Sequence, residues 1–322
     1  MAINQTQRFI RKTLILAKVE TQYGVEPTFA GSDALLVSNV QLSYVAGNQP
    51  RDVIRPHFGA SEEVAVGEHM TLSFETELAP SGTAGTAPAW GALLRGCGMA
   101  QTITAPTNVV YNPVSVSFES LAFSYVLDGV RYKVGGARGT VELAVNVGEI
   151  PRLRWSFTCL YGGVAAATPI TPDYAAWKMP EAVSNANSAD MTLGGAYAAG
   201  AVTGGEVYAC RGFTLSLGNS VAFQEVLGAQ RVLITDRQAS GQITFDLSAA
   251  DEVTFRSGVS AATVRSASLE HGTAAGKKAL IWMPKMQLTN PTVVDVDGVA
   301  MTQFDMRVIP SAGNDELLIV CK

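Results

Sequence analysis

The sequence predicts a mainly β protein, with two tandem β-sandwich or barrel domains that each carry at most a short flanking helix. Short runs alternate apolar and polar residues, as half-buried strands do. Turn pairs such as Asp128-Gly129 separate many of these runs. Similar segments also recur in the two halves of the chain, which is typical of a duplicated fold.

We place the two domains at residues 1–172 and 173–322. The boundary falls in the stretch 162–205, which is rich in Ala, Gly, Thr, Ser, Asn and Pro and has few charges. Such a composition is typical of a crossing between domains, and it locates the boundary to within about 15 residues.

The composition excludes several classes of protein. The chain has 322 residues, of which 47% are hydrophobic and 16% charged, so it is not a disordered polymer, a collagen or a coiled coil. A net charge of −5 argues against a protein that binds nucleic acid tightly, because such proteins carry a basic surface. The four cysteines are widely spaced and form no C-x-x-C pair, so we expect reduced thiols. No apolar run is long enough for a signal peptide or a membrane span, and we expect no membrane association.

The clearest strand runs from Thr71 to Leu78. One of its faces is polar and the other carries mainly apolar residues, which predicts one solvated and one buried side. Four further runs show the same alternation: 140–147, 152–158, 242–247 and 303–308. The best helical signal is 88–97, where Trp90, Leu93, Leu94 and Cys97 follow helical spacing after a proline.

The repeat is most visible around two Gly-Asn pairs. Asn48 precedes Leu72 by 24 positions, and Asn219 precedes Ile243 by the same 24 positions. We also align Val40–Ser43 with Phe213–Ser216, and Leu153–Phe157 with Thr302–Met306. These matches predict an internal duplication, and proteins built from a repeated fold commonly assemble with rotational or stacked symmetry.

The sequence selects no catalytic, metal-binding or cofactor-binding residue. His57, His69 and His271 are too far apart for a local metal motif, and we expect them to be surface or structural histidines. The loop 272–278 is one residue short of a phosphate-binding loop. We therefore predict a protein that is not an enzyme and has no cofactor, although an acid pair assembled by the fold alone stays open.

A long connection lies between Gly47 and Gly67. Loops of this length in compact domains are commonly functional, and its mixed charges around one aromatic ring suit a protein partner better than a small-molecule pocket. A solvated loop without a partner is the alternative. The stretch 218–241 has a similar character. The candidate contact residues are Arg51, Asp52, Arg55, Phe58, Glu62 and Glu63.

The N-terminal residues Thr13–Thr28, followed by Asp33–Val37, resemble the start of major tail tube proteins from long-tailed, non-contractile bacteriophages. The segment Ala87–Gly98 is similar to the helix segment of that family. The resemblance spans most of residues 8–160 and extends through the repeat into the second half. It implies a β-sandwich or barrel with a flanking helix, in rings that stack into the hollow tube through which DNA leaves the capsid.

The resemblance also implies a location and partners. The protein would be made in the host bacterial cytoplasm and reside in the virion tail. It would surround a tape measure protein, with tail terminator and distal tail proteins at the tube ends. Many single-domain relatives form six-subunit rings, so two fold copies per chain suggest homotrimeric rings with pseudo-six-fold symmetry.

The candidate lumen residues are polar side chains from equivalent strands of the two copies. An acidic or neutral lumen repels phosphate groups, so DNA would pass through it without specific binding. Ordinary solvated strand faces are the alternative explanation. The residues are Thr71, Ser73, Glu75, Glu77, Thr244 and Asp246.

The contact residues between Gly47 and Gly67 would then join successive rings. Two other classes of protein remain open. One is another β-rich assembly protein, such as a secretion-system tube or a capsid decoration protein. The other is a carbohydrate-binding or hydrolytic β-sandwich, which would present an aromatic platform. The four tryptophans fall in separate parts of the sequence: Trp90, Trp155, Trp177 and Trp282.

Overall fold

Long antiparallel strands dominate the structure, a computed structural model that describes residues 7–322. We call residues 7–166 the first segment and residues 191–322 the second segment. The strands of the first segment are β1 (Thr13–Val19), β2 (Ser38–Pro50), β3 (Glu63–Glu77), β4 (Met99–Thr104), β5 (Asn108–Pro113), β6 (Leu121–Leu127), β7 (Val130–Asn146) and β8 (Arg152–Ala166).

The second segment contains more strands, several of them short. They are β9 (Met191–Leu193), β10 (Ala196–Ala198), β11 (Ala201–Thr203), β12 (Glu206–Tyr208), β13 (Cys210–Ser216), β14 (Asn219–Val226), β15 (Ala229–Arg237), β16 (Ser240–Phe245), β17 (Val264–His271), β18 (Ala279–Val296), β19 (Val299–Ile309) and β20 (Leu318–Cys321). The α-helices are α1 (Gly91–Gly96) and α2 (Ala249–Ser260), and short 3₁₀ turns lie at Ile10–Lys12 and Gly31–Asp33.

One continuous sheet of 16 strands joins the two segments. Its central part runs β2-β3-β8-β7 and then β13-β16-β19-β18, so each segment contributes four neighbouring strands in the same order. The joint between them is the pairing of β7 with β13, in which Glu142 lies opposite Ser216 and Asn146 opposite Gly212. The hairpins β10–β11 and β14–β15 form separate two-stranded sheets.

The strand register refines the repeat that the sequence shows. Leu42 lies opposite Leu72, and Phe213 lies opposite Ile243. Leu42, rather than Val40, therefore corresponds to Phe213, with the same offset that separates Asn48 from Asn219. In the same way Phe157, which lies opposite Leu72, corresponds to Phe304. The two segment alignments made from the sequence are therefore each displaced by two residues from the alignment that the strand register gives. A two-residue shift keeps every side chain on its original face, so the sequence pattern alone does not detect it.

The apolar face of the sheet packs under α1 in the first segment. Trp90, Leu93, Leu94 and Cys97 are all fully buried, as the helical spacing predicts. The indole N–H of Trp90 donates to the Ala79 carbonyl at 2.9 Å, which satisfies the one polar atom that this ring brings into the core. The core of the first segment also contains stacked and edge-on aromatic rings: Phe74, Phe123, Trp155 and Phe157.

The second segment has an equivalent layer beneath α2. This helix begins after Ser248, whose hydroxyl accepts from the Asp251 N–H, and it contributes one fully buried side chain, Phe255. Phe255 packs against Phe245 and Phe304. Because α2 lacks a broad apolar stripe, the sequence gives a weaker signal for it than for α1.

Residues 167–190 cross from the first segment to the second. Trp177 donates to the Ala34 carbonyl at 2.9 Å, and Val183 exchanges backbone hydrogen bonds with the β7–β8 turn. A second joint closes at the C-terminus, where β20 pairs with both β18 and β5. The division into domains at residue 172 stays a prediction, since the sheet itself is continuous across the two segments. Within residues 7–322, no helix combines the length and apolar character of a membrane span.

Candidate functional site

A polar face runs along the side of the central sheet opposite the aromatic core. On β3, Thr71, Ser73, Glu75 and Glu77 point away from the buried Leu72, Phe74 and Leu78. On β16, Thr244 alternates with the buried Ile243 and Phe245. Asp246 is exposed and lies one residue beyond the end of β16. The structure thus brings five of the six predicted lumen residues onto one sheet, with Asp246 beyond the strand end.

Ion pairs cross the polar face from strand to strand. The Glu75 carboxylate lies 3.5 Å from Arg152 and 3.5 Å from Arg154, both on β8. Arg154 also reaches Glu142 on β7 at 2.7 Å. These arginines offset the acids beside them, so this part of the face is polar and charge-paired rather than strongly acidic.

One acid of the polar face in the second segment, Asp305, is hydrogen-bonded to side-chain amides. Asp305 on β19 accepts hydrogen bonds from Gln242 at 2.9 Å and from Asn290 at 2.8 Å. These donors lower the pKa of Asp305 below its usual value, with the Asn290 side chain as the larger cause. The two amides therefore favour the ionised form of this partly exposed carboxylate.

The candidate contact residues lie together at the tip of the β2–β3 hairpin. Pairing between these strands continues to Pro50 and Glu63, so the loop itself is residues 51–62. Arg55 binds Glu62 at 2.7 Å and thereby lowers the pKa of that carboxyl, while Arg51 lies 3.9 Å from it. Ile54 and Phe58 are fully exposed. The six predicted residues Arg51, Asp52, Arg55, Phe58, Glu62 and Glu63 all belong to this tip or its immediate end.

The corresponding stretch 218–241 is a hairpin rather than a loop, and it folds back onto the first segment. Its strands β14 and β15 lie against β7 and β8. Val232 is fully buried there, and the ring of Phe223 stacks on His69 with centroids 4.5 Å apart. Arg138 donates to the Val232 carbonyl at 2.8 Å. Sequence reasoning missed these contacts, because their partners lie far away in the chain.

A model of the phage tail tube protein family matches residues 10–308. The chain belongs to this family. Among curated proteins, none matches the sequence significantly. As a tail tube protein, the chain has a structural role in the phage tail tube, self-assembles into that tube and resides in the virion tail.

Both ends of the run β2-β3-β8-β7-β13-β16-β19-β18 in this tail tube protein have unpaired strand edges. Within residues 7–322, β2 pairs only with β3, and the stretch Thr289–Val296 of β18 pairs only with β19. Tyr44 and Val293 are half-exposed on these edges. Long unpaired edges are templates for pairing with another chain. Two such edges, one on β2 and one on β18, are therefore available for pairing.

The three histidines of this tail tube protein have different surroundings. His271 is buried between Ser188 and the Glu181 carbonyl, His69 stacks on Phe223, and His57 is exposed. In the described part of the chain, no group of three or more His, Cys, Asp or Glu side chains is arranged to hold a metal ion. All four cysteines are free thiols. The tryptophans are buried, apart from the half-buried Trp177, and form no exposed aromatic platform for a sugar.

Proposed function

We propose that three copies of this chain close into a ring with pseudo-six-fold symmetry, and that such rings stack into the hollow tail tube that conducts DNA. The observation that carries the proposal is the β7–β13 joint. It links two four-strand sets of identical order within one chain, which is the contact that a ring needs between chains. The two segments would then be two copies of one tail tube domain.

The same joint can be repeated between subunits. By the strand register, β18 holds the place of β7 and β2 holds the place of β13, and both present bare edges. Transferring the register of the internal joint puts Ser43 of one subunit opposite Val296 of the next, and Val45 opposite Val294. Such pairing closes the run of central strands on itself, so that neither β2 nor β18 keeps a free edge in the ring.

In this ring the polar face lines the lumen and the apolar face lies outward beneath the helices. Thr71, Ser73, Glu75, Glu77, Thr244 and Asp246 would then face the DNA. Arg152 and Arg154 in this lumen are paired with acids, so they attract phosphates only weakly, whereas the exposed Arg307 on β19 makes no ion pair within residues 7–322. DNA would therefore meet few free basic groups and slide without strong adhesion. The role is mechanical, without an enzymatic step or a cofactor.

The remaining partners follow from the same arrangement. A tape measure protein would occupy the lumen before DNA, and tail terminator and distal tail proteins would bind the two ends of the tube. The tip of the β2–β3 hairpin would contact the next ring through Arg51, Asp52, Arg55, Phe58, Glu62 and Glu63. The exposure of Ile54 and Phe58 supports a partner at this tip.

Electron microscopy of the concentrated protein tests the proposal. End-on class averages should show a pseudo-six-fold ring whose mass equals three chains. The variant Val293→Lys places a charge on the bare β18 edge and should prevent ring formation, whereas the matched change Val116→Lys on an exposed loop should not. Rings of six chains would contradict the trimer, and a monomer under every condition would contradict ring formation altogether.

A further inference from the structure

A buried asparagine pins the β14–β15 hairpin to the first segment. The side-chain amide of Asn219 donates to the Cys97 carbonyl at 2.6 Å and to the Gly139 carbonyl at 2.8 Å. Its backbone N–H also donates to the Thr140 hydroxyl at 3.2 Å. Cys97 ends α1, and Gly139 lies in β7. One side chain thus fastens the base of the hairpin to a helix end and to a strand of the other segment.

Asn48 occupies the equivalent position in the first segment. Each asparagine follows a glycine at the base of a hairpin, where Asn48 lies opposite Ala65 and Asn219 lies opposite Arg237. Their surroundings differ completely, because Asn219 is buried and Asn48 is exposed. The Asn48 amide donates to no other side chain or carbonyl within residues 7–322.

The second segment contains the matching acceptors. Ala261 ends α2 as Cys97 ends α1, and each is followed by a residue with positive φ, 51° at Ala262 and 74° at Gly98. Thr292 lies opposite Gln303 as Thr140 lies opposite Ser156, so Pro291 holds the place of Gly139. Pro291 sits where the β18–β19 ladder is interrupted, between Thr289 and Thr292.

Apolar side chains near Asn48 and near the C-terminal end of α2 are also exposed to solvent. The β14–β15 hairpin buries Val232 completely, whereas the stem of the β2–β3 hairpin exposes Val64 and Val66. At the C-terminal end of α2, a small crevice opens beside the exposed Val264. The crevice is lined by the apolar residues Leu193, Phe255, Val259, Met286 and Leu288, and also by Gly258, Thr263 and Arg265. One chain therefore exposes apolar side chains both on this hairpin and beside the end of α2.

We propose that Asn48 of one subunit pins the β2–β3 hairpin onto the second segment of the next subunit. Its amide donates to the carbonyls of Ala261 and Pro291, and the stem of the hairpin covers the end of α2. The occupant of this surface is a second copy of the same chain within the ring, so the proposal rests on the proposed function. The tip of the hairpin, residues 51–62, lies beyond this contact and stays free to meet the next ring.

Substitution of the two asparagines separates assembly from folding. Asn219→Ala should destabilise the monomer, because it leaves two buried carbonyls without donors. Asn48→Ala should leave the urea midpoint of the monomer unchanged and raise the concentration needed for ring formation roughly tenfold. Asn48→Asp should raise it further, because a carboxylate cannot donate to carbonyls. The exposed Asn185→Ala is the matched control. An unchanged assembly concentration for both Asn48 variants would overturn the proposal.

A cysteine pair tests the contact directly. The variant Asn48→Cys with Ala261→Cys should form disulfides between chains on mild oxidation, in a ladder that stops at three chains because the ring is closed. The pair Asn48→Cys with Asn185→Cys, and the wild type with its own four thiols, should give no ladder. Rings seen by microscopy without cross-linking would overturn this inference and leave the proposed function standing. A ladder beyond three chains would place Asn48 between rings and also overturn it. If the wild type formed no rings, both this inference and the proposed function would be contradicted.

Discussion

The Oε1 atom of Glu75 lies 3.5 Å from Nε of Arg154 on the neighbouring strand. Arg152 approaches the other oxygen of the same carboxylate, and only about a fifth of the Glu75 side chain is exposed, at 19%. This carboxylate is therefore a structural bridge between β3 and β8 as well as a candidate lumen residue.

Glu75→Lys should destabilise the subunit, because it replaces the bridging carboxylate by a third cation beside two arginines. We expect a loss of about 1 kcal/mol in the free energy of unfolding, measured by urea denaturation at low salt, and a smaller loss at high salt. Glu75→Gln, which removes the charge without reversing it, should fall between this variant and the wild type. Equal stability of all three proteins would show that the bridge contributes nothing.

Glu77→Lys tests the lumen itself, because Glu77 makes no ion pair within residues 7–322. Phage whose tails carry this variant should eject DNA more slowly at low ionic strength, and added salt should restore the rate, since phosphate contacts weaken as salt rises. Asp190→Lys makes the same change of two charge units at an exposed position of the crossing between the segments and serves as the control. Unchanged ejection at low salt from tails of normal length would place Glu77 outside the DNA path.

Acid should loosen the crossing between the segments through His271. The ring is buried, which lowers the pKa of His271 below its usual 6.5, and its two nitrogens lie 2.8 Å from the Ser188 hydroxyl and 3.1 Å from the Glu181 carbonyl. The unfolded chain therefore binds a proton at a higher pH than the folded one. Stability due to the neutral ring is complete above about pH 6.5 and is lost as the pH falls through the lowered folded pKa.

We expect wild type to lose more thermal stability than His271→Gln between pH 7.5 and pH 5, because the glutamine amide makes similar hydrogen bonds without titrating. His57→Gln, at an exposed position, should behave as the wild type does. Thermal denaturation at several pH values measures the difference between variants and so removes the contribution of the carboxylates. Parallel curves for wild type and His271→Gln would refute the assignment.

Replacing residues 51–62 by a two-residue turn should leave folded subunits and rings but prevent long tubes. The pairing of β2 with β3 up to Pro50 and Glu63 supports the stem without the loop, whereas Ile54 and Phe58 are lost from the tip. Circular dichroism reports the fold, and sedimentation with electron microscopy reports rings and tubes. Tubes of normal length from this variant would show that another surface stacks the rings.

Alternation along single strands predicted much of the fold. It identified the buried face formed by Leu72 and Phe74, and helical spacing identified the buried stripe beneath Trp90. It did not reveal why Thr76 shares that buried face. The Thr76 hydroxyl accepts from the Trp155 indole N–H at 2.9 Å, and that partner lies on another strand. Periodicity assigns a side chain to a face but does not identify its contact.

The contacts of the candidate site are harder still to predict from periodicity, because their partners lie far away in the sequence. The Gly-Asn repeat is visible in the sequence, yet the role of Asn219 depends on the carbonyls of Cys97 and Gly139, far away along the chain. The polar alternation of β3 was predicted, but the arginines that pair with Glu75 lie on β8. Register decides such contacts, and a displacement of two residues is invisible to a pattern of period two.

The pairing of β20 with β5 sets an order of events during synthesis. β5 is synthesised early, but its partner strand consists of residues 318–321, more than 200 residues later in the sequence. At bacterial translation rates of about 5–20 residues per second, one edge of β5 stays unpaired for roughly 10–40 s before β20 has been synthesised. Completion of the sheet thus requires synthesis to reach residues 318–321, and a nascent chain that stops before them lacks this joint.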